Sequence, residues 1–307
     1  MKVKNKFKEN IFFQVSVIIP VYNAEKFLRK AVESAVQLEE VGEIILVEDA
    51  SPDNALMICH EFEKEYSKVK LFRHPKEENK GAGASRNLGM EKATCEFIAF
   101  LDADDWYLPN RFKEAKKLFK NPKIDGVYEP IGTWFYEDVG ILFRKKMSKE
   151  EGDLIITFIR KPVKPEDLFY SLLSMTNSSF STDGITLRKS LIEKVGLFSS
   201  KLKLHQDTEY WIRCAFYGKL IAPPNPKIVA IRGVHDENRI NGINFQSKAD
   251  FYGVLFEELK NKNLNWEERL ILYKRYILFN PERKFHSAKF WQKYPELLKI
   301  ALKTLFE

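Results

Sequence analysis

Cysteine is scarce in this chain. Its 307 residues include three, Cys59, Cys95 and Cys214, set far apart and with no CxxC pair. That excludes a zinc knuckle and a CxxC redox motif, both of which need closely spaced thiols. An odd, sparse set suits a reducing compartment, so a cytoplasmic location is expected. Long apolar runs are missing too, and none approaches the ~20 residues of a membrane-spanning helix. The N-terminal stretch MKVKNKFKENIFFQVSVIIPV is broken by Gln14, Ser16 and Pro20, with no small-residue cleavage site after it. Residues 1–13 therefore read as a basic tail before a strand rather than as a signal peptide. No GxxxxGK[ST] phosphate loop and no GxSxG elbow is present. GAGAS at 81–85 lacks the third glycine of a dinucleotide fingerprint. There is no internal repeat and no low-complexity segment.

What remains is the composition of a soluble globular protein, 44% apolar and 30% charged, long enough for a full core. Net charge is +7 and the pI is near 9.0. A basic balance suits nucleic acid, an anionic membrane surface or a phosphorylated substrate, and equally a solvated lysine-rich surface. The lysines are scattered along the chain and no RNA-reading motif accompanies them, so no nucleic-acid partner is expected.

The first 130 residues alternate in period. VSVIIP (15–20), EIILV (43–47), KLF (70–72) and FIAFL (97–101) are short, apolar and partly β-branched, hence strands. Between them lie helical patterns at 25–38, from Ser51-Pro52 to about Tyr66, and at 82–93. Another runs from Pro109 to about Lys120. Such alternation predicts an α/β fold with a mostly parallel sheet flanked by helices. From 126 to 186 the pattern loosens, with Trp134 among mixed aromatics and charges. A helix is expected over 165–174, a strand over GITLR (184–188), a helix near 190–195 and a stronger one from about Asp207. Beyond 240 the chain reads as helical and basic.

Four polar clusters follow four successive strands: PVYNAE (20–25), VEDASPDN (47–54), NKGAGASRNLG (79–89) and LDADDW (101–106). Right-handed crossovers bring all four to one edge of a parallel sheet, where ligands bind. In the last cluster, Asp102, Asp104 and Asp105 crowd the end of a buried strand. Like charges that close repel one another, and a bound cation offsets the cost. In an extended segment Asp102 and Asp104 point the same way. The competing reading has these acids capping a helix near Pro109. Ser51 and Asp53 read best as caps of the next helix.

In this order, P-V-Y-N, E-D-A-S-P-D, N-K-G-A-G-A-S-R-N and L-D-A-D-D resemble the inverting family 2 glycosyltransferases of GT-A fold. The resemblance covers about residues 14–240. It implies a Rossmann-like catalytic domain with a nucleotide-binding half over 14–125 and an acceptor half over 126–240. A C-terminal helical region follows over 241–307. It further implies a nucleoside-diphosphate sugar donor, most often UDP-linked, and a glycan or lipid-linked acceptor in polysaccharide or cell-envelope assembly. Asp102-Ala-Asp104 resembles the DxD motif, so Asp104 would bind Mg²⁺ or Mn²⁺, and Asp102 the ribose or the metal indirectly. Asp49 matches the carboxylate that accepts the uracil N–H, although Glu48 stands where the family usually has a second aspartate. Pro20, Tyr22 and Asn23 would lie against the base. Asn79, Gly81 and Arg86 would meet the nucleotide, Arg86 through its guanidinium. In HQDTEYWIRCAFYG (205–218), Asp207 matches the general base, Gln206 replaces the usual preceding acid, and His205 is a rival base. Arg232 and His235 resemble the late R-x-x-H element that approaches diphosphate or metal.

Two other readings stay open on sequence. A sugar-1-phosphate nucleotidyltransferase needs a glycine-rich, arginine-bearing loop after the first strand, and PVYNAE is not one. A non-catalytic sugar-nucleotide binder on the same fold would release no UDP. YPELLKIALKTLFE (294–307) is amphipathic. It suits packing on the catalytic domain, or resting on an anionic membrane at the inner face of the plasma membrane.

Overall fold

The computed structural model describes residues 13–136, 156–159, 161–235 and 244–279, together with 295. The basic tail before Phe13, the amphipathic C-terminal stretch (Pro295 apart) and the expected boundary at 240 lie outside the described residues, whereas Phe13, placed with the tail, is buried in the core. A seven-stranded sheet organises the chain, in the order β3-β2-β1-β4-β8-β6-β9. Its strands are β1 Val15–Val21, β2 Val41–Glu48, β3 Val69–Arg73, β4 Phe97–Phe100, β6 Gly126–Tyr128, β8 Ile185–Arg188 and β9 Leu220–Ile221. All run one way except β8, which is antiparallel to both β4 and β6. A small second sheet places β10 (Ala230–Val234) between β5 (Trp106–Tyr107) and β7 (Ile131–Phe135).

The period-2 pattern of β1 divides the core. Val15, Val17, Ile19 and Val21 face one layer, built on α1 (Leu28–Val36), α2 (Ala55–Glu65) and α4 (Lys113–Leu118). Ile18 faces the other, with Met90 of α3 (Ala82–Lys92) and the buried faces of α5 (Leu168–Ser174), α6 (Lys189–Val195) and α7 (Gln206–Tyr217). Two C-terminal helices, α8 (Phe245–Leu259) and α9 (Trp266–Phe279), extend this second layer. Both faces of β1 are dry, which is why its sequence shows a nearly unbroken apolar run. Gly89 lets α3 lie against β1, since a Cβ there would collide with the Ile18 side chain.

Several expectations are corrected. The second helix does not begin at Ser51-Pro52 but at Ala55, after Asn54. Ser51 Oγ accepts instead from Asn23 N (3.3 Å), tying two loops together. Asp53 accepts from Glu25 N (2.7 Å) and Ala55 N (3.1 Å), so it joins the loops as well as the helix start. The helix expected from Pro109 forms only over Lys113–Leu118, with Phe112 at its N-cap, so the aspartates of 102–105 do not cap it. Residues 101–104 are not extended either: Asp105 N donates to the Asp102 carbonyl (3.0 Å), closing a turn. Trp134, near the end of β7, is 56% exposed.

Candidate active site

At the C-terminal edge of the parallel strands lies a cleft of about 510 Å³. It is lined by Pro20, Tyr22, Asn23, Asp49, Arg86, Asp102, Asp104, Asp207, Arg232 and His235, so most of the expected residues meet in one place. Asn79 and Gly81 do not line it. They act one shell back, on Asp49, whose carboxylate is buried and accepts from Lys80 N (2.7 Å) and Gly81 N (2.8 Å). Asn79 Nδ2 donates to the Asp49 carbonyl (3.0 Å). Gly81, with φ +86°, makes the left-handed turn that starts α3, a conformation costly to any residue with a Cβ. Gly83, by contrast, is helical, and its missing Cβ leaves room for the Gln206 side chain. Tyr22 is 41% exposed, so its ring lies open to the cleft rather than in the core.

The acidic cluster carries its own cations. Arg86 is buried and paired with Asp102. Burial works against its charge, but Asp102 first, then Asp207 and Asp183, hold its pKa above the ordinary value. Its Nε has no hydrogen-bond partner among the described residues. Arg232 is also held charged, by Asp105, Asp183, Asp102 and Asp104, against the opposing effect of burial. Asp105 is buried and accepts from Gly233 N (2.8 Å). Burial, then the Asp183, Asp104 and Asp102 charges, push its carboxyl well above the usual range.

Sequence reading missed Asp183. Its Oδ1 accepts from Asp102 N (2.9 Å) and its Oδ2 from Ser181 Oγ (3.0 Å), which fixes the turn that presents Asp102 and Asp104. Asp102, Asp105 and Asp183 bring carboxylate oxygens within 4.8 Å of one another. Those of Asp105 and Asp183 are already committed to hydrogen bonds and to each other. The donors better placed toward the cleft are Asp104 and His235, with His235 Nε2 3.1 Å from Asp104 Oδ2. His235 is held by stacking on Phe27 (ring centroids 4.4 Å). A carboxylate oxygen beside an imidazole nitrogen at a cleft wall fits a divalent ion such as Mn²⁺ or Mg²⁺.

The far wall is α7. Asp207 stands in its first turn, one residue past Gln206, so it is not the N-cap; that position belongs to His205, in the left-handed region with φ +61°. Tyr210, Trp211 and Cys214, three, four and seven residues after Asp207, share its helical face and are buried, and Tyr210 stacks on Phe198 (centroids 4.0 Å). Arg213 grips Glu209 (2.6 and 3.0 Å) and the carbonyls of Val195 and Leu197. Anchored by these contacts, α7 holds Asp207 at its exposed start, on the wall of the cleft that Asp104 also lines. Burial lowers the pKa of His205, whose Nε2 lies 3.5 Å from Ser247 Oγ of α8.

The seven-stranded sheet and the acid-lined cleft at its edge have the arrangement of a GT-A fold. The profile of glycosyl transferase family 2 matches residues 16–196, and the chain belongs to that family. An uncharacterized glycosyltransferase of Haemophilus influenzae is 25% identical over 202 residues, 65% of this chain and 61% of the relative. The minor teichoic acid biosynthesis protein GgaB of Bacillus subtilis is 35% identical over 125 residues, 39% of this chain and 14% of its own. The chain thus spans less than two thirds of either relative. Staphylococcus aureus TarS 1–349, solved with UDP-GlcNAc, superposes with a TM-score of 0.63 at 20% identity, covering 87% of this chain and 73% of that one. The mannosyltransferase PcManGT of Pyrobaculum calidifontis, solved with GDP-Man and Mn²⁺, gives 0.57 at 17% identity, covering 86% and 69%. Among the described residues no helix is long and apolar enough to cross a membrane.

Proposed function

We propose that the chain is an inverting glycosyltransferase that moves a sugar from a nucleoside diphosphate, UDP in the first instance, to an acceptor hydroxyl. The carrying observation is the convergence of Asp104 with His235, Arg86 with Asp102, and Asp207 on the walls of one cleft. Asp104 and His235 would hold Mg²⁺ or Mn²⁺, which supplies charge stabilisation for a departing diphosphate. Arg86, charged, buried and with an unpartnered Nε, adds a fixed positive charge to the same wall. Tyr22 offers its exposed ring to the base, over a floor formed by Pro20 and Asn23. Asp49 keeps loop 79–81 in place and retains lone pairs for an imide N–H. Asp207 takes the proton of the acceptor hydroxyl as it attacks, and a single displacement inverts the anomeric carbon. Holding both substrates in one cleft supplies much of the acceleration.

Uracil as the base agrees with a TarS structure that holds UDP-GlcNAc, and a cell-envelope acceptor agrees with a relative named for teichoic acid synthesis. Peripheral membrane contact through residues 294–307 belongs to the same proposal. Deleting them should release the folded protein from membranes, and unchanged membrane recovery would end that part of it.

The test is thermal protection by UDP-, GDP- and dTDP-sugars with Mn²⁺ or Mg²⁺, followed by UDP release in the absence of acceptor. A ligand at a hundred times its Kd stabilises by about 2.7 kcal/mol. UDP-sugar protection and slow metal-dependent UDP release are expected. Asp104→Asn should lose both, whereas Asp207→Asn should keep protection and lose transfer. Protection by GDP or dTDP alone would refute the uracil assignment, and protection without any UDP release would leave a binder.

A further inference from the structure

A second groove, of about 740 Å³, lies between α1 and α4 on the face away from α7. Five lysines line it, Lys30, Lys113, Lys116, Lys117 and Lys120, against Glu33, Glu39 and Glu40. Four of them sit at spacings of three, one and three, which gathers them on one side of α4 and the turn after it. Lys116 is satisfied by Glu40 (3.1 Å) and Lys117 by Glu114 (2.7 Å). Lys30, Lys113 and Lys120 have no carboxylate within 4.0 Å among the described residues. Lys30 is instead drawn over the face of Trp106, its ammonium 3.0 Å from the ring centroid. The groove is thus a concave surface with excess positive charge, next to an acid-lined cleft.

Groove and cleft share parts. Phe27, at the start of α1, lines the cleft, and Lys30, one turn further, lines the groove. Trp106 and Tyr107 continue directly from Asp104 and Asp105, and Ser34 of α1 holds that strand through Tyr107 N (3.0 Å). From Phe27 to Gln37 the helix axis advances about 15 Å, so a chain whose end reaches the cleft can lie along it.

We propose that this groove holds a polyanionic, phosphate-bearing stretch of the acceptor chain. Calling it an acceptor rests on the function proposed above; the anion binding does not. Three features select this occupant. The groove's charge excess calls for an anion. Its concavity admits a threaded chain to the floor, whereas a flat bilayer meets only the rim. It offers no face for stacking a nucleobase, because Trp106 is covered by Lys30 and Tyr107 is buried.

The experiment uses the full chain and fluorescein-labelled long-chain inorganic polyphosphate, read by anisotropy across a salt series. Lys113→Gln/Lys120→Gln removes two cations without stranding a carboxylate. Lys161→Gln/Lys164→Gln makes the same charge change at exposed positions elsewhere. The groove variant should bind polyphosphate about tenfold more weakly, with a shallower salt dependence, since fewer counterions are displaced. The control should match wild type, and both should keep wild-type thermal protection by UDP-sugar. Equal weakening in the two variants would reduce the effect to net charge and overturn the proposal. So would full competition by a single-stranded oligodeoxynucleotide, or groove-dependent capture by phosphatidylglycerol vesicles with no polyphosphate binding. If polyphosphate binds at the groove while no nucleotide sugar protects the wild type, the anion site stands and the glycosyltransferase reading fails.

Discussion

Replacing Glu129 by Gln should flatten the fall of stability with rising pH. Glu129 is 1% exposed and sits between β6 and β7, with Oε2 3.5 Å from Arg111 Nη1 and no hydrogen bond to it among the described residues. Burial pushes its carboxyl from 4.5 up to about 7; Arg111 opposes this only in part, and Glu114 adds to it. The folded state thus holds a proton that the unfolded chain gives up near pH 4.5. Its stabilisation is complete below that pH and is lost as pH climbs to about 7. At about 1.4 kcal/mol per pH unit, that interval amounts to roughly 3 kcal/mol. Glutamine has the shape of the neutral acid and does not titrate. Urea unfolding of wild type and Glu129→Gln, from pH 4.5 to 8.5, gives the difference directly. That difference should grow in favour of the variant by about 3 kcal/mol up to pH 7 and then level off. Asp105, Asp183 and Glu209, also raised by burial, slope the same way in both proteins and cancel. The Arg111 attraction acts only on the ionised carboxylate and is already contained in the value near 7, so its loss adds no further slope. Parallel curves would show that Glu129 is ionised in the folded protein and that the burial argument is wrong. The site depends on this support: Arg111 also holds Thr186 Oγ1 (3.1 Å) and the Ile185 carbonyl (2.7 Å), the residues just after Asp183.

Three further outcomes follow from close packing. Gly233→Ala would set a methyl against the Asp104 carbonyl, so it should abolish Mn²⁺-dependent thermal protection while circular dichroism remains native. Gly89→Ala should cost about 1–3 kcal/mol by overpacking Ile18. Adding Ile18→Ala should cost less than the two single changes summed, and additivity in urea melts would disprove the contact. His205→Asn should keep kcat, since Asn tolerates the left-handed backbone. His205→Val should cost about 1–2 kcal/mol of stability and lower kcat, and equal kcat values would separate this turn from Asp207.

The cleft was legible because its chemistry follows four strands that point the same way, and a parallel sheet gathers such loops at one edge. Pro20, Asp49, Arg86 and Asp104 could be placed together before any coordinates. Asp183 could not. It precedes β8, and alternation of strands and helices gives no sign that this strand is reversed; reversal is what carries residues 181–184 to the cleft. The lysine groove was hidden for a different reason. Lys30 and Lys113 are far apart in sequence, so lysines that read as scattered are neighbours only once α1 and α4 pack. Local hydrogen bonding decided the remaining differences, as at Ser51, where a link to Asn23 displaced a helix cap.

The position of β4 has a consequence for synthesis. Phe97–Phe100 is wholly buried and pairs with β1 on one side and, through Phe97 and Arg188, with β8 on the other. A ribosome adding about 5–20 residues per second reaches β8 roughly 4–18 seconds after β4. For that interval the nascent polypeptide presents an open, greasy ribbon edge, which is where a chaperone should be found crosslinked to stalled intermediates.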